Sequence, residues 1–182
     1  MSDKNISMEY SWLYSSIWPY NGMVNDLWRG IQAEENYLVA LGLFAYSEAL
    51  GRMILNTVGN RGGGPKAYRH FTEEFIGYSF KEDDWGIIFD SFRNGLAHQF
   101  FIKKSGSSAC NEDGTKACGI DVSGDGFHVY IHSYFLHFVR GLQKALDNGD
   151  LKVDDPVFTT TATSSSSPPV ILRLGDDSGL ST

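Results

Sequence analysis

EENYLVALGLFAYSEALGRMILNTV, residues 34–58, is the strongest helical pattern in this sequence. Apolar side chains occupy most of the helical circumference over this stretch, which is typical of a helix buried on nearly every side. Gly59 follows at once, and the run Asn-Arg-Gly-Gly-Gly-Pro after it predicts an abrupt end to the helix. We therefore expect a central helix against which the rest of the domain packs.

Shorter segments on both sides of this helix have the periodicity of helices and strands. Helices are predicted over residues 23–31, 66–78, 83–97 and 133–146. Strands are predicted over residues 100–104 and 127–131, with 119–122 as a candidate third strand. The predicted fold class is mainly α: an antiparallel four- to five-helix bundle with a small β-ribbon inserted before the last helix.

Composition divides the chain into a folded domain and two outer segments. Residues 1–21 are aromatic-rich but irregular, and we predict an N-terminal arm that packs on the body. Residues 22–146 carry the helical patterns and form the predicted helical domain. Residues 147–182 are rich in Asp, Thr, Ser and Pro, which predicts a flexible polar tail. Within that tail, residues 170–174 are the one segment apolar enough to dock.

The formal charge of the chain is −7, and it is unevenly distributed. Residues 147–182 carry −4, which leaves −3 for residues 1–146. A mildly acidic body argues against a broad basic surface for duplex DNA, so any contact with nucleic acid is expected to be local.

Hydropathy predicts a cytoplasmic protein without a membrane partner. The longest apolar run, from Tyr37 to Tyr46, is shorter than the about 20 residues that a membrane helix requires. The N-terminal sequence has no basic start followed by an apolar run, so no secretory signal is predicted.

The spacing of cysteine, histidine and aspartate residues argues against a metal site. Cys110 and Cys118 are separated by seven residues, whereas common zinc modules use two to four. The segment 121–126 resembles the start of a calcium loop, but His132 stands where a bidentate glutamate is required. No metal and no cofactor are predicted.

Residues 93–98, RNGLAH, bring together side chains that can bind phosphate or transfer a proton, near the end of the predicted helix 83–97. At α-helical spacing Asn94 and His98 share one exposed face, with Asp90 nearby and Arg93 to one side. Histidine titrates near neutral pH, and a guanidinium group binds phosphate through two parallel hydrogen bonds. The same residues also make a good helix end, because cations there complement the helix dipole.

This stretch resembles the R-x4-H signature of the HEPN superfamily, the nucleotide-binding domains shared by higher eukaryotes and prokaryotes. The resemblance covers residues 34–146 and implies metal-independent cleavage of RNA at a composite site of a homodimer. It implies that His98 exchanges the proton of the nucleophile or leaving group, that Arg93 stabilises phosphoryl charge, and that Asn94 orients the phosphate or His98. Lys103 and Lys104, just after the motif, are predicted to bind substrate.

The resemblance leaves the function open between three classes. Members are often toxins or defence effectors, which implies RNA or a nucleotide as ligand and an antitoxin as a protein partner. Many related domains are not catalytic, so a module that binds nucleotide, RNA or protein is the alternative. A third class is an assembly protein whose motif stabilises a dimer.

Glu48 and Asp90 are predicted as accessory residues of the motif. Glu48 stands four residues before Arg52 in the central helix, and that spacing predicts an ion pair within the helix. The alternative is that Glu48 orients Arg93 from a neighbouring helix, since a buried carboxylate needs a partner.

Overall fold

The computed structural model describes residues 20–60, 62–94, 107–109, 113–123 and 126–152. These residues are mainly helical, as predicted. The helices are α1 (Asn21–Gln32), α2 (Asn36–Ile54), α3 (Gly64–Phe71), α4 (Glu82–Ile88) and α5 (Ile131–Asp147). The strands are β1 (Ser107–Ala109), β2 (Ile120–Ser123) and β3 (Gly126–Tyr130). Two π-helical turns, Thr72–Ile76 and Phe89–Asn94, continue α3 and α4 respectively.

Helix α2 is the central helix, as its sequence predicted. It packs against α1, α3, α5 and the π-helical turn that continues α4. Its buried residues recur every three or four positions: Val39, Ala40, Leu43, Phe44, Ser47, Leu50 and Gly51. The helix ends at Ile54 rather than near residue 58, because Asn56 takes a left-handed backbone conformation with φ of 53°.

The length and composition of α2 also meet the criteria for a membrane-spanning helix. It has 19 residues and is the one described helix that passes this test. The core helix of a soluble protein passes the same test, so the observation is weak evidence. The absence of a membrane partner stays a prediction.

Helices α2 and α3 cross in direct backbone contact at Gly51. A Cβ atom added to Gly51 would overlap the carbonyl oxygen of Ala67 in α3. Gly51 is buried, and Ala67 is fully buried beside it. The lack of a side chain at Gly51 therefore sets how closely the two helices approach.

Helix α3 changes to π-helical hydrogen bonding at Thr72. The Thr72 hydroxyl donates to the carbonyl oxygen of Tyr68 at 2.8 Å, and the Tyr78 amide donates to the Thr72 carbonyl at 2.9 Å. Side-chain hydrogen bonds of this kind compete with the regular helical pattern. The turn ends at Ile76 because Gly77 is left-handed, with φ of 87°, so the helix is shorter than the predicted 66–78.

A small sheet precedes the last helix, where the sequence predicted a ribbon. Strand β3 lies between the other two strands, antiparallel to β2 and parallel to β1. Ile120 in β2 pairs with Val129 in β3, and both side chains are buried against the helices. The predicted strand 100–104 lies outside the described residues. Ile131, predicted as the last strand residue, begins α5 instead.

A chain of buried hydroxyl groups joins three helices in the core. The Tyr134 hydroxyl of α5 donates to the Tyr68 hydroxyl of α3 at 3.1 Å. Ser47 of α2 lies 3.2 Å from the same Tyr134 hydroxyl. Both tyrosines have no solvent exposure, and burial raises the pKa of each phenol above its ordinary value.

We expect the two buried tyrosines to make the protein sensitive to alkali. Their neutral forms contribute stability that is fully present below the pKa of an unfolded tyrosine, about 10. Above that pH the unfolded chain loses protons that the folded chain retains, so the free energy of unfolding falls by up to about 1.4 kcal/mol per pH unit for each tyrosine. Tyr68→Phe and Tyr134→Phe should each flatten this fall in urea titrations between pH 9 and 11. Tyr37→Phe, at a residue that is 57% exposed, is the control and should leave the slope unchanged.

The first and last described residues meet at one corner of the domain. The Tyr20 hydroxyl donates to the backbone oxygen of Lys152 at 3.1 Å, and Tyr20 is fully buried. Leu151 is buried as well. Leu151 and the Lys152 backbone, which the sequence placed in the polar tail, therefore pack with the folded body.

Candidate functional site

Helix α4 leads into the RNGLAH motif and is held by an apolar face. Its first turn holds the three acidic residues Glu82, Asp83 and Asp84, which suit the positive end of the helix dipole. Trp85, Ile88 and Phe89 are buried and recur at helical spacing, so they form one apolar face that packs into the core.

The motif begins in a π-helical turn, which the sequence did not predict. The turn covers Phe89–Asn94, so it includes the backbone of Arg93 and Asn94. A π-helix bonds residue i to residue i+5, and its turn is wider than that of an α-helix. The predicted exposed face shared by Asn94 and His98, with Asp90 nearby, stays a prediction, because the turn ends at Asn94 and His98 lies outside the described residues. His98, Lys103 and Lys104 lie outside the described residues, so their predicted roles stay predictions.

Arg69 ties the start of the motif helix to α3. Its Nη1 donates to both carboxylate oxygens of Glu82, at 2.7 and 2.6 Å, and its Nε pairs with Glu73 at 3.0 Å. Its guanidinium also lies 5.6 Å from the centre of the Trp85 ring. The hydrogen bonds that Arg69 donates, to Glu73 first and then to Glu82, raise its pKa above the ordinary value.

Sequence reasoning missed Arg69 as a positioning residue. The spacing of Arg69 and Glu73 signals an ion pair within one helix. The bond from Arg69 to Glu82 joins residues thirteen positions apart in different helices, and no spacing rule indicates it.

Glu48 forms the ion pair that its spacing predicted. The Nε of Arg52 lies 2.8 Å from Oε1 of Glu48, and Nη1 of Arg52 donates to the Asn60 carbonyl at 3.1 Å. The pair is mostly shielded, with side-chain exposures of 20% for Arg52 and 14% for Glu48.

The Glu48 carboxylate and the ring of Phe89 both lie against Gly64, the first residue of α3. A Cβ atom built on Gly64 would be 2.8 Å from Oε1 of Glu48 and 3.0 Å from the Cζ atom of Phe89. Phe89 is the first residue of that turn, and α2 packs against the turn. Glu48 thus lies on the helix against which this turn packs, and Asp90 is an exposed residue of the turn itself.

No protein-family model, curated protein or solved structure matches the chain. Among the described residues, no group of three or more His, Cys, Asp or Glu side chains is arranged to hold a metal ion.

Proposed function

We propose that this is a HEPN-like protein acting on RNA, with Arg93, Asn94 and His98 forming a metal-independent ribonuclease site. The observation that supports the proposal is the π-helical turn at the start of the motif. Such turns occur often at functional sites, where a regular α-helix is interrupted. This one carries Arg93 and Asn94 and packs on the central helix, which also holds the mostly shielded Glu48–Arg52 ion pair. We further propose that the helices form an antiparallel bundle.

The chemistry of the proposed site follows from its side chains. The 2′-oxygen of a ribose attacks the adjacent phosphorus, and the bond from phosphorus to the 5′-oxygen breaks. The proton of the 2′-hydroxyl passes to a neutral histidine, and the leaving oxygen receives a proton from a histidinium. In a homodimer two copies of His98 supply these two roles. Arg93 binds the phosphoryl oxygens as their negative charge grows in the transition state.

The wider setting of the motif favours one alternative, a module that binds without cleaving. Asp90 is exposed in the same turn, and Glu82, Asp83 and Asp84 form the first turn of α4. The charge of Asp90, three residues before Arg93, opposes the approach of a phosphate backbone, whereas the acidic first turn lies about 15 Å away along the helix. A protein or nucleotide ligand bound at the same surface would fit this charge better than a long RNA.

Cleavage of RNA in excess EDTA tests the proposal. The wild-type protein should cleave a single-stranded RNA without metal and leave the matched DNA intact, because DNA lacks the 2′-hydroxyl. His98→Ala should slow cleavage by about 10²–10⁴-fold while its circular dichroism spectrum stays that of the wild type. His70→Ala, at the half-buried histidine of α3, is the matched control and should cleave normally.

Three results would count against this function. Cleavage by His98→Ala at the wild-type rate, or cleavage that needs a divalent metal, contradicts the proposed site. RNA or nucleotide binding without any cleavage supports the binding module instead. If the protein neither binds nor cleaves RNA, the class that remains is an assembly protein, whose partner is an antitoxin or a second copy.

A further inference from the structure

A small groove lies between α1 and the first three turns of α2. Its volume is about 180 Å³, and the buried side chains of Leu27 and Val39 form an apolar floor. Sites for whole small molecules have volumes of about 300–1,000 Å³, so this groove has room for one long side chain rather than for a cofactor.

Glycine residues form part of the groove walls on both helices. Gly30 of α1 and Gly42 of α2 both line the groove. A Cβ atom on Gly30 would be 2.5 Å from Cγ2 of Val39, and one on Gly42 would be 2.9 Å from Cδ2 of Leu27. The lack of side chains at these positions lets the two helices approach closely and leaves the space above the floor unfilled.

Two carboxylates stand at the rim of the groove. Asp26 and Glu35 line it, and both are exposed. Asp26 lies four residues before Gly30, or about 6 Å along the helix axis, and Oε2 of Glu35 would be 4.0 Å from a Cβ atom on Gly30. The Tyr46 hydroxyl donates to Oδ2 of Asp26 at 3.5 Å.

The charge of this rim is not neutralised within the part of the chain that the structure describes. Neither Asp26 nor Glu35 forms an ion pair there, and Arg29, the cation of α1, does not line the groove. A cleft with apolar walls and charges of one sign concentrates the electric field at its mouth. The groove therefore favours a ligand with an apolar stem and a positively charged end.

We propose that this groove binds an arginine side chain of a protein partner, with an apolar residue beside the arginine. The aliphatic stem of the arginine covers the floor, and its guanidinium donates hydrogen bonds to Asp26 and Glu35. Leu38 lines the groove and is 63% exposed, so it contacts the neighbouring apolar residue. Lysine matches the rim less well, because its compact ammonium group lacks the planar fork of donors. This binding does not require the proposed ribonuclease activity.

A titration of the full-length protein with small blocked peptides tests the site. The amide signals of Gly30 and Gly42 in NMR spectra should shift on addition of acetyl-leucyl-arginine amide. Acetyl-leucyl-citrulline amide has the same shape without the charge, and it should bind at least about tenfold more weakly, the factor that one charge-assisted hydrogen bond gives. Acetyl-arginine amide should bind about fivefold more weakly, because it lacks the contact with Leu38.

Two variants locate the charge that the peptide reads. Asp26→Asn and Glu35→Gln should each weaken the binding of acetyl-leucyl-arginine amide about tenfold. Glu34→Gln is the matched control, because Glu34 is the exposed neighbour of Glu35 and does not line the groove. It removes the same charge and should leave the affinity unchanged.

Four results would overturn this inference. Equal affinity for the arginine and citrulline peptides means that the rim charge does not contribute. A loss in Glu34→Gln as large as in Glu35→Gln means that general acidity attracts the peptide. Equal affinity for acetyl-leucyl-lysine amide contradicts the choice of arginine. If acetyl-arginine amide binds as tightly as the leucine-containing peptide, the ligand is a free guanidinium compound rather than a protein partner.

Discussion

Gly51→Ala is expected to lower the free energy of unfolding by about 3 kcal/mol, which in a domain of this size lowers Tm by about 10 °C. The new methyl group would overlap the backbone carbonyl of Ala67, and a backbone atom cannot turn away as a flexible side chain does. Helices α2 and α3 must therefore separate, and the hydroxyl chain from Ser47 to Tyr68 through Tyr134 should lengthen with them. Urea unfolding and differential scanning calorimetry measure the loss.

Gly86→Ala is the matched control for this substitution. Gly86 lies in α4, is exposed, and has no neighbouring atom within 4 Å of an added Cβ. Alanine there should raise stability by about 0.5–1 kcal/mol, the usual gain when alanine replaces glycine inside a helix. If the two alanine variants unfold alike, the close crossing at Gly51 is not a determinant of stability.

Arg93→Ala and His98→Ala are expected to cost about 10²–10⁴ each in kcat/KM for RNA. The two side chains serve one transition state. The kcat/KM of the double variant should therefore be at most about tenfold below that of the less active single variant. Arg93→Lys should recover little activity, because an ammonium group cannot make the two parallel hydrogen bonds of a guanidinium. Single-turnover cleavage with saturating enzyme separates these losses from changes in binding.

Arg140→Ala provides the control for loss of a positive charge. Arg140 is exposed on α5, so its removal lowers the net charge as Arg93→Ala does. A loss of similar size in both arginine variants would mean that Arg93 acts through general attraction of RNA. Losses in Arg93→Ala and His98→Ala that multiply in the double variant would mean that the two residues act in separate steps.

The sequence predicted the parts of the fold that depend on apolar periodicity. Helix α2 is central because its residues are apolar around most of the helix, and Trp85, Ile88 and Phe89 are buried because they lie on one stripe. The β-ribbon before α5 could also be predicted, from the alternation of apolar and polar residues along its strands. Strand β1 was not predicted, because Ser107–Ala109 is a short small-residue run without that alternation.

The two π-helical turns could not be predicted from the periodicity of apolar residues. Hydrogen bonding shifts from i+4 to i+5 where a side chain competes for a backbone carbonyl, as the Thr72 hydroxyl does for the Tyr68 carbonyl. Packing against neighbouring helices also decides it. At the candidate site the spacing of Glu48 and Arg52 correctly predicted their ion pair. The position of that pair beside Phe89 depends on how three helices meet, and no linear pattern encodes it.

The hydrogen bond between Tyr20 and Lys152 makes this domain a natural candidate for circular permutation. These residues are 132 positions apart, yet a few added residues would join them, with little loop-closure entropy lost. New termini could then be opened in the exposed connection between α2 and α3, around residues 58–60, where no helix would be cut. A permuted chain would keep the α2–α3 crossing and the motif helix while removing both outer segments from the domain.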